Sequence, residues 1–517
     1  MASWRLNTGI MKKRIVIIGS GPGGLTSGML LAHRGYEVTI LEKAPVVGGR
    51  NASIKAGGYT FDTGPTFLHQ KFTLDEIFAE VGRKPEDHLN FTLLDPMTRL
   101  TWGGVSMETS SNEDTMVRNI EAAFPGHSGS YRRFMSDHAE KLRAIYPCLQ
   151  KPYHQLRNYL GGQMLKALPY VATRKSVMDV LGDYFEDERL KLAFTFQAKY
   201  LGMSPWNCPA LFSILSYIEY AHGIYHVEGG LSEISAAMAR VFEEEGGTLR
   251  LDSEVRDINY TGKKASSVVL ADGEVIPCDD LIVNADYAQA RSTIFGQKNV
   301  AQESLRKKKF SCSTFMLYLG LDTLYENEPH HHIIFADDYR QNVTDIQGER
   351  TVSDDMSVYV RNSSINDKTV APEGHSQLYI LVPTINTRHG YSWEENQRYY
   401  RDKVLDRIIA NTGMKDLREH IVEERCITPQ GWEKADIFIG ATFNFAHTMD
   451  QMLYLRPRNR LQGFKNVYLV GGGTHPGSGL PTIYESARIS SNLICESYGV
   501  QRERIDFATE LLAAKAL

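Results

Sequence analysis

The sequence predicts an α/β protein whose parallel, doubly wound sheet is built from discontinuous segments and carries inserted lobes. Two strand–glycine loop–helix units, at opposite ends of the 517-residue chain, indicate this fold. A third observation is that the long stretch between them alternates helical periodicity with short strand-like runs. We therefore expect one sheet domain assembled from both ends of the chain, with the middle of the chain inserted into it.

The N-terminal unit has the pattern of a Rossmann-type dinucleotide site. The β-branched run 14–18 predicts a buried strand, and a G-x-G-x-x-G turn and a helix follow it. Such glycines allow a tight turn and close approach of a pyrophosphate, which the N–H groups at the helix N-terminus bind. A second strand at 38–41 ends at Glu42, where a carboxylate accepts a hydrogen bond from a ribose hydroxyl. The alternative is a glycine-rich turn without a ligand. The residues predicted to contact the dinucleotide are Gly19, Gly21, Gly23, Gly24 and Glu42.

The residues after Glu42 indicate a cofactor larger than a nicotinamide dinucleotide. A Val-Gly-Gly-Arg turn at 47–50 and a Gly-Pro turn at 64–65 occupy the place where a nicotinamide dehydrogenase has another crossover helix. This pattern resembles the FAD-binding domain shared by amine oxidases and carotenoid desaturases. The resemblance implies further FAD contacts at Lys43, Gly49, Arg50, Thr63, Gly64, Pro65 and Val255.

The C-terminal unit points a second helix N-terminus at the same ligand. A strand at 466–470 runs into the loop GGGTHPGSGLP, and a helix is predicted from Thr482 to Tyr498. In flavoproteins of this kind the unit holds the ribityl chain and the isoalloxazine ring, and we expect the N–H groups of Thr482 and Ile483 to face the pyrimidine edge of that ring. The residues predicted to contact FAD here are Gly473, Gly479, Leu480, Pro481 and Thr482.

With both ends considered, residues 12–497 resemble the bacterial phytoene desaturase family. The carrying motifs are the N-terminal glycine turn, FDTGP at 61–65, YHVEGG at 225–230 and the loop at 473–481. The resemblance implies an FAD-dependent desaturase of a C30 or C40 polyene, with oxygen or a quinone reoxidising the flavin. A polyene isomerase, a saturase and a terminal-methyl oxygenase are alternatives. Non-redox prenyl-binding proteins of the same fold are a further alternative, against which Glu42 and the complete C-terminal loop argue. No catalytic side chain is predicted.

The chain is predicted to divide into discontinuous domains. The FAD-binding domain is expected at 12–70, 230–300 and 440–500, between an N-terminal extension at 1–11 and a tail at 501–517. A helical substrate and membrane lobe is expected at 71–229, and a mixed α/β lobe at 301–439. The mixed lobe is expected to place a sheet over the substrate cavity.

The apolar segment 211–225 is a candidate for the substrate wall, because ligand pockets favour aromatic linings. The candidates are Phe212, Tyr217, Tyr220 and Tyr225, and ordinary core packing is the alternative for each. The segment 156–170, with the later Arg174 and Lys175, is basic and amphipathic, which suits an anionic membrane surface and a lipid-soluble substrate. A solvated charged face is the alternative.

Composition excludes several other classes. The net charge of −5 gives no reason to expect nucleic-acid binding. No apolar run reaches the ~20 residues needed to span a bilayer. Six scattered cysteines suit reduced thiols in a cytoplasm and form no zinc pattern, and we expect no metal. The run 330–332 of three histidines is predicted to be a surface or edge-strand tract, and His475 is predicted to cap a helix or bond to backbone rather than to move protons.

Overall fold

The computed structural model describes residues 13–153, 162–171, 174–197, 202–295, 303–348 and 350–500. The predicted N-terminal extension and C-terminal tail lie outside these residues. The described helices are α1 Pro22–His33, α2 Lys71–Ala79, α3 Glu113–Ala123, α4 Ser128–Leu149, α5 Gly162–Val171, α6 Val177–Gly182, α7 Glu188–Ala193, α8 Ile214–His222, α9 Ser232–Glu244, α10 Tyr287–Ser292, α11 Tyr339–Gln347, α12 Trp393–Asn411, α13 Pro429–Lys434 and α14 Leu480–Ser497.

The nineteen strands of the described residues form five sheets. They are β1 Arg14–Ile18, β2 Glu37–Leu41, β3 Ser53–Ala56, β4 Tyr59–Asp62, β5 Phe91–Leu93, β6 Thr98–Trp102, β7 Val105–Thr109, β8 Tyr225–Val227, β9 Thr248–Arg250, β10 Val255–Thr261, β11 Lys264–Leu270, β12 Val275–Pro277, β13 Asp280–Val283, β14 Ser313–Leu321, β15 His331–Ile334, β16 Val358–Asn362, β17 Ser376–Thr384, β18 Ile421–Ile427 and β19 Val467–Leu469.

A five-stranded parallel sheet forms the first layer, in the order β19-β13-β1-β2-β9. Numbered along the chain this is the 5-4-1-2-3 order of a doubly wound fold, whose ligands bind where the order reverses, between β1 and β13. The strands come from the first, middle and last parts of the chain, which confirms the predicted discontinuous α/β fold. Helix α1 packs against this sheet and against α9 and α14. Gly28 allows that approach, since a Cβ there would lie 2.7 Å from Ile40 Cδ1.

A seven-stranded mixed sheet forms the second layer, in the order β18-β14-β17-β16-β15-β6-β7. One face packs on α12, with Phe315 and Leu317 against Trp393 and Tyr400. The other face turns its side chains toward the segment that follows β4. Strands β6 and β7 belong to this sheet although they lie in the stretch assigned to the helical lobe, so the two predicted lobes share one sheet.

The prediction that residues 330–332 lie at the surface or an edge is wrong. His331 and His332 open β15, which pairs with β16 on one side and β6 on the other, and all three histidines are buried. Each imidazole has a polar neighbour: Asn366 for His330, Tyr359 for His331 and Thr101 for His332. Among the described residues, no group of side chains is arranged to hold a metal ion.

The helical part packs around an aromatic cluster. Phe134, Phe185 and Phe194 lie with ring centroids 4.6 to 6.1 Å apart at the junction of α4, α6 and α7. Within the part of the chain that the structure describes, no helix has both the length and the apolar character needed to cross a membrane.

Candidate active site

The glycine turn is held by the end of the neighbouring strand. Gly19 has φ +93°, and a Cβ there would lie 2.5 Å from the Asn284 carbonyl oxygen, so only glycine fits. Asn284 Nδ2 donates to Gly19 O at 3.1 Å and to Gly21 O at 3.3 Å. A Cβ on Gly24 would lie 2.0 Å from Gly19 O. These contacts close the turn tightly at the N-terminus of α1.

Glu42 fixes the same turn from the other side. Its Oε2 accepts from Ser20 N at 2.7 Å and from Ser20 Oγ at 2.9 Å, and its Oε1 accepts from Ala44 N at 2.9 Å. An ionised carboxylate has about four acceptor positions, so one more is available to a ribose hydroxyl. Glu42 therefore has a structural role that its spacing alone did not indicate.

The loop 47–50 lies over the glycine turn. Gly48 N donates to Ser20 O at 3.0 Å, and a Cβ on Gly49 would lie 3.4 Å from Gly21 Cα. Arg50 donates to Asp286 at 2.7 Å and to Thr442 O at 2.9 Å. Burial raises the pKa of the Asp286 carboxyl, and the Arg50 guanidinium offsets part of that shift.

Lys43 and Val255 are two further predicted cofactor contacts. Lys43 is half-exposed, and its ammonium pairs with Asp436, so part of its bonding capacity is already used. Val255 begins β10 and is buried. Their contact with a cofactor stays a prediction.

Three tyrosines of the mixed sheet hold the segment 63–66. Tyr318 Oη donates to Thr63 O at 2.9 Å, and Tyr379 Oη donates to Gly64 O at 2.7 Å. Tyr359 Oη lies 2.8 Å from Thr66 Oγ1. Burial raises the pKa of each of these three tyrosines, so their hydroxyls stay protonated and can donate. The sheet thus fixes the backbone around Pro65.

The strand register puts these side chains on one face. Tyr318 is opposite Tyr379, Tyr379 is opposite Arg361, and Arg361 is opposite His331. Arg361 donates to Asp62 at 2.7 Å, and both are buried. Sequence reasoning missed this row, because only the pairing of separate strands reveals it.

The C-terminal loop has the backbone that the sequence predicts. Gly479 has φ +115° and ψ 145°, a conformation essentially restricted to glycine. Helix α14 begins at Leu480, two residues before the predicted start, with Pro481 in its first turn. The expectation that the N–H of Ile483 faces the flavin is wrong, because this N–H donates to Gly479 O at 2.9 Å in the first turn of the helix. The role of Thr482 N stays a prediction.

Buried side chains support this loop. Arg456 donates to Gly472 O at 2.7 Å and to Thr474 O at 3.0 Å, a contact that the sequence analysis missed. Gly473 packs closely, since a Cβ there would lie 3.0 Å from Tyr287 Cβ. His475 Nε2 lies 3.0 Å from Lys151 O, which confirms the predicted bond to backbone.

The four candidate wall residues differ in position. Tyr220 is a core residue, fully buried against Phe194 with its hydroxyl bonded to Ala193 O. Tyr217 is also buried, whereas Phe212 and Tyr225 are partly accessible. Core packing therefore describes Tyr220 better than a substrate wall does.

The geometry fits FAD. A Cβ on Gly23 would lie 2.4 Å from Val470 Cγ1 and 3.2 Å from Ile483 Cγ2, so the N-terminal ends of α1 and α14 adjoin. Two adjacent helix N-termini offer N–H donors to a pyrophosphate and to the electron-rich edge of a flavin. Together with Glu42 they offer donors and an acceptor of the kind that such a dinucleotide needs.

Comparison with known proteins identifies the family. Residues 22–495 match the family model described as flavin containing amine oxidoreductase. The chain is 46% identical over 98% of its length to a 4,4'-diapophytoene desaturase (4,4'-diapolycopene-forming) of a Methylomonas species, which is covered to 99%. The chain belongs to the phytoene desaturase family. It is an FAD-dependent oxidoreductase with the flavin-binding fold of that family.

Other relatives and structures agree. An all-trans-zeta-carotene desaturase of Myxococcus xanthus is 35% identical, with 94% of each chain covered. A 4,4'-diapolycopen-4-al dehydrogenase of Metabacillus indicus is 30% identical, covering 96% of this chain and all of the relative. A putrescine oxidase double mutant superposes with a TM-score of 0.61 at 13% identity, covering 95% of this chain and 99% of that one. At this identity the likeness shows the fold alone.

Proposed function

We propose that the protein desaturates an isoprenoid polyene, with a C30 substrate of the diapophytoene type as the first candidate and a C40 substrate of the phytoene type as the second. The observation that carries the proposal is the 46% identity to the Methylomonas desaturase over nearly both chains. The adjacent helix N-termini and the apolar helical part of the chain agree with it.

FAD supplies hydride acceptance when it is bound. The protein's own residues bind the cofactor and orient the substrate. The glycine turn and Glu42 bind the nucleotide half, and the three tyrosines on the sheet fix the 63–66 backbone. A hydrocarbon offers no charge to recognise, so the shape of the apolar walls sets which carbon pair reacts.

Product analysis tests this proposal. The chain is co-expressed with a diapophytoene synthase in one host and with a phytoene synthase in another, and pigments are separated by chromatography. We expect conjugated C30 products in the first host, at a higher yield than C40 products in the second. Gly24→Val is the control, because its side chain would collide with Gly19 O at the nucleotide turn. Unchanged substrate in both hosts would contradict the proposal.

Oxidation of a terminal group is a second candidate function. The Metabacillus relative is a diapolycopen-4-al dehydrogenase, and its 30% identity extends over its whole length. Supplying the protein with preformed diapolycopene and, separately, with diapolycopen-4-al distinguishes the functions, since only a terminal oxidase would convert the hydrocarbon to an oxygenated product or the aldehyde to a carboxylic acid.

We propose peripheral attachment to the cytoplasmic side of a membrane through α5. Leu165 and Leu168 on this helix have 62% and 49% of their surface exposed, and Lys166 lies between them. Exposed leucines beside cations suit an anionic interface. Part of the predicted segment 156–170 lies outside the described residues.

Vesicle sedimentation tests the attachment. We expect binding to anionic vesicles to fall in Leu165→Gln/Leu168→Gln. The control is Val275→Gln/Val422→Gln, which changes two similarly exposed valines on β12 and β18, away from α5. Equal binding of both double variants would contradict a role for α5. From such a surface, either a membrane quinone or oxygen is proposed to reoxidise the flavin.

A further inference from the structure

A run of four cations lies outside the elements that form the cofactor site. Residues 306–309 read Arg-Lys-Lys-Lys and are exposed or partly accessible, in a protein whose net charge is −5. Lys307 pairs with Glu303 at 3.9 Å. Lys309 pairs with Asp450 at 3.2 Å, and no carboxylate of the described residues pairs with the other two cations. The run is therefore a local excess of positive charge on an acidic protein.

A short apolar loop lies beside this run. Three side chains of the two 3₁₀ turns in 449–455 have between 37% and 55% of their surface exposed: Met449, Tyr454 and Leu455. The buried Gln451 joins the loop to the run, since its Oε1 accepts from Lys309 N at 2.9 Å and its Nε2 donates to Lys309 O at 2.8 Å. Residues 306–309 and 449–455 thus form one surface, which we call the basic–apolar surface.

The loop 449–455 is tied to the C-terminal cofactor loop at both of its ends. Before it, His447 Nε2 accepts from Ser478 N at 3.1 Å. After it, Arg456 donates to Gly472 O at 2.7 Å. A ligand of the basic–apolar surface therefore lies next to the loop that is predicted to hold the flavin.

A single turn connects this surface to α5. Helix α5 packs against the turn 210–213. The ring of Phe212, which belongs to that turn, has its centroid 6.0 Å from the centroid of the His447 ring, just before the loop 449–455. Phe212 is also partly accessible. An accessible apolar ring therefore lies where α5 and the basic–apolar surface meet.

We propose that the basic–apolar surface binds an anionic phospholipid bilayer. The cations of 306–309 contact the headgroup phosphates, Met449 and Leu455 enter the acyl region, and Tyr454 lies at the level of the headgroups. The proposal rests on the peripheral attachment proposed above and adds a second contact that does not involve α5. The two contacts together place the bilayer over Phe212, so a lipid-soluble polyene enters the protein beside this ring.

The composition of the surface favours lipid over a protein or a nucleic acid. A stable protein interface takes about 20–30 residues from each partner, whereas this surface offers three exposed apolar side chains among cations. A nucleic acid would use aromatic faces for stacking, but the Arg458 guanidinium covers a face of Tyr454 at 4.2 Å from the ring centroid. Lysines, a tyrosine and isolated aliphatic side chains together suit the boundary between phosphate headgroups and acyl chains.

Sedimentation with vesicles tests the cations. The flavin-loaded protein is mixed with vesicles of phosphatidylcholine alone, or with about a third of phosphatidylglycerol added. We expect Lys307→Gln/Lys308→Gln/Lys309→Gln to bind the anionic vesicles at least about tenfold more weakly than the wild type, and high salt should remove the difference. The matched control removes three exposed lysines elsewhere and changes the net charge equally, with an expected effect below about twofold: Lys55→Gln/Lys84→Gln/Lys368→Gln.

A second double variant tests the apolar loop. Met449→Gln/Leu455→Gln keeps every charge, so it should weaken binding to the anionic vesicles at low and at high salt alike. Val275→Gln/Val422→Gln is again the control. Flavin reduction by diapophytoene dispersed in detergent should be unchanged in all these variants, which shows that they fold and hold FAD. Reduction by diapophytoene in anionic liposomes should slow in the lysine and loop variants as their binding falls.

The outcomes are separable. If the wild type binds neither kind of vesicle, the proposed attachment fails together with this surface, and the detergent assay decides the desaturase function independently. If only Leu165→Gln/Leu168→Gln loses binding, α5 is the membrane contact and the basic–apolar surface is not. Equal losses in both lysine triple variants would overturn the proposal, because net charge alone would explain them. Displacement of bound vesicles by short duplex DNA, or a change of oligomeric state in Met449→Gln/Leu455→Gln with unchanged vesicle binding, would assign the surface to another partner and also overturn it.

Discussion

Replacing Glu42 by glutamine should weaken FAD binding through two effects at once. The carboxylate accepts from Ser20 N with one oxygen and from Ala44 N with the other. A glutamine has one oxygen and one NH₂ group, so in either orientation its NH₂ faces one of these N–H groups. A buried donor then lacks an acceptor, at a cost of about 1–3 kcal/mol. The ribose hydroxyl also loses a charged acceptor.

Titration of FAD into the apo-protein measures the result. We expect the dissociation constant of Glu42→Gln to rise about 10- to 100-fold, which corresponds to roughly 1.4–2.8 kcal/mol. Glu42→Lys should lose about 2–4 kcal/mol, because it places a cation against the same donors. Melting curves of the apo-proteins show how much of the lost free energy comes from a less stable fold rather than from weaker contacts with the cofactor.

Ser20→Ala is the matched control. It removes the Oγ hydrogen bond of 2.9 Å but keeps the carboxylate and both backbone bonds. We expect less than about a threefold change in FAD affinity. A Glu42→Gln variant with wild-type affinity, or a Ser20→Ala variant as weak as Glu42→Gln, would refute the reasoning.

Three other predictions concern backbone strain, the tyrosine row and pH. Gly479→Val should cost about 1–3 kcal/mol of stability and slow flavin reduction. The control is Gly463→Val, which also has a positive φ (+93°) but has open space around it and should keep normal flavin content. Equal flavin content and equal reduction rates in both variants would place the loop away from the flavin ring. Tyr379→Phe removes the hydroxyl that donates to Gly64 O at 2.7 Å. The free energy of unfolding, measured with a denaturant, should fall by about 1–3 kcal/mol. An unchanged unfolding midpoint would contradict the contact. Burial lowers the pKa of His475 to about 4, so as the pH falls the unfolded chain binds a proton before the folded protein does. The free energy of unfolding should therefore fall by up to about 3 kcal/mol from pH 6.5 to pH 4. His475→Gln should flatten this part of the plot of melting temperature against pH, and an unchanged slope would contradict the role of His475.

The local elements of the fold, including those of the cofactor site, could be predicted from the sequence. The strand at 14–18, the glycine turn, the strand ending at Glu42 and α12 at 393–411 are written in consecutive residues, so spacing and periodicity suffice. The predicted start of α14 lies two residues after the observed one, because Leu480 is not a residue type that marks the beginning of a helix.

The non-local parts could not be predicted. Tyr318, Tyr359 and Tyr379 each lie between two aliphatic residues of their strand, so nothing in any one strand marks its tyrosine. Only the register brings them to the segment 63–66. The histidines at 330–332 suggested a surface, because their buried partners are distant in the sequence.

Anaerobic mixing of the flavin-loaded protein with diapophytoene in liposomes, without any nicotinamide, tests the central claim most directly. The chain has one N-terminal dinucleotide fingerprint, and we predict that the flavin absorbance bleaches while a conjugated polyene forms in equal amount. Bleaching that required NADH, or an unchanged flavin spectrum with both diapophytoene and phytoene, would contradict the account.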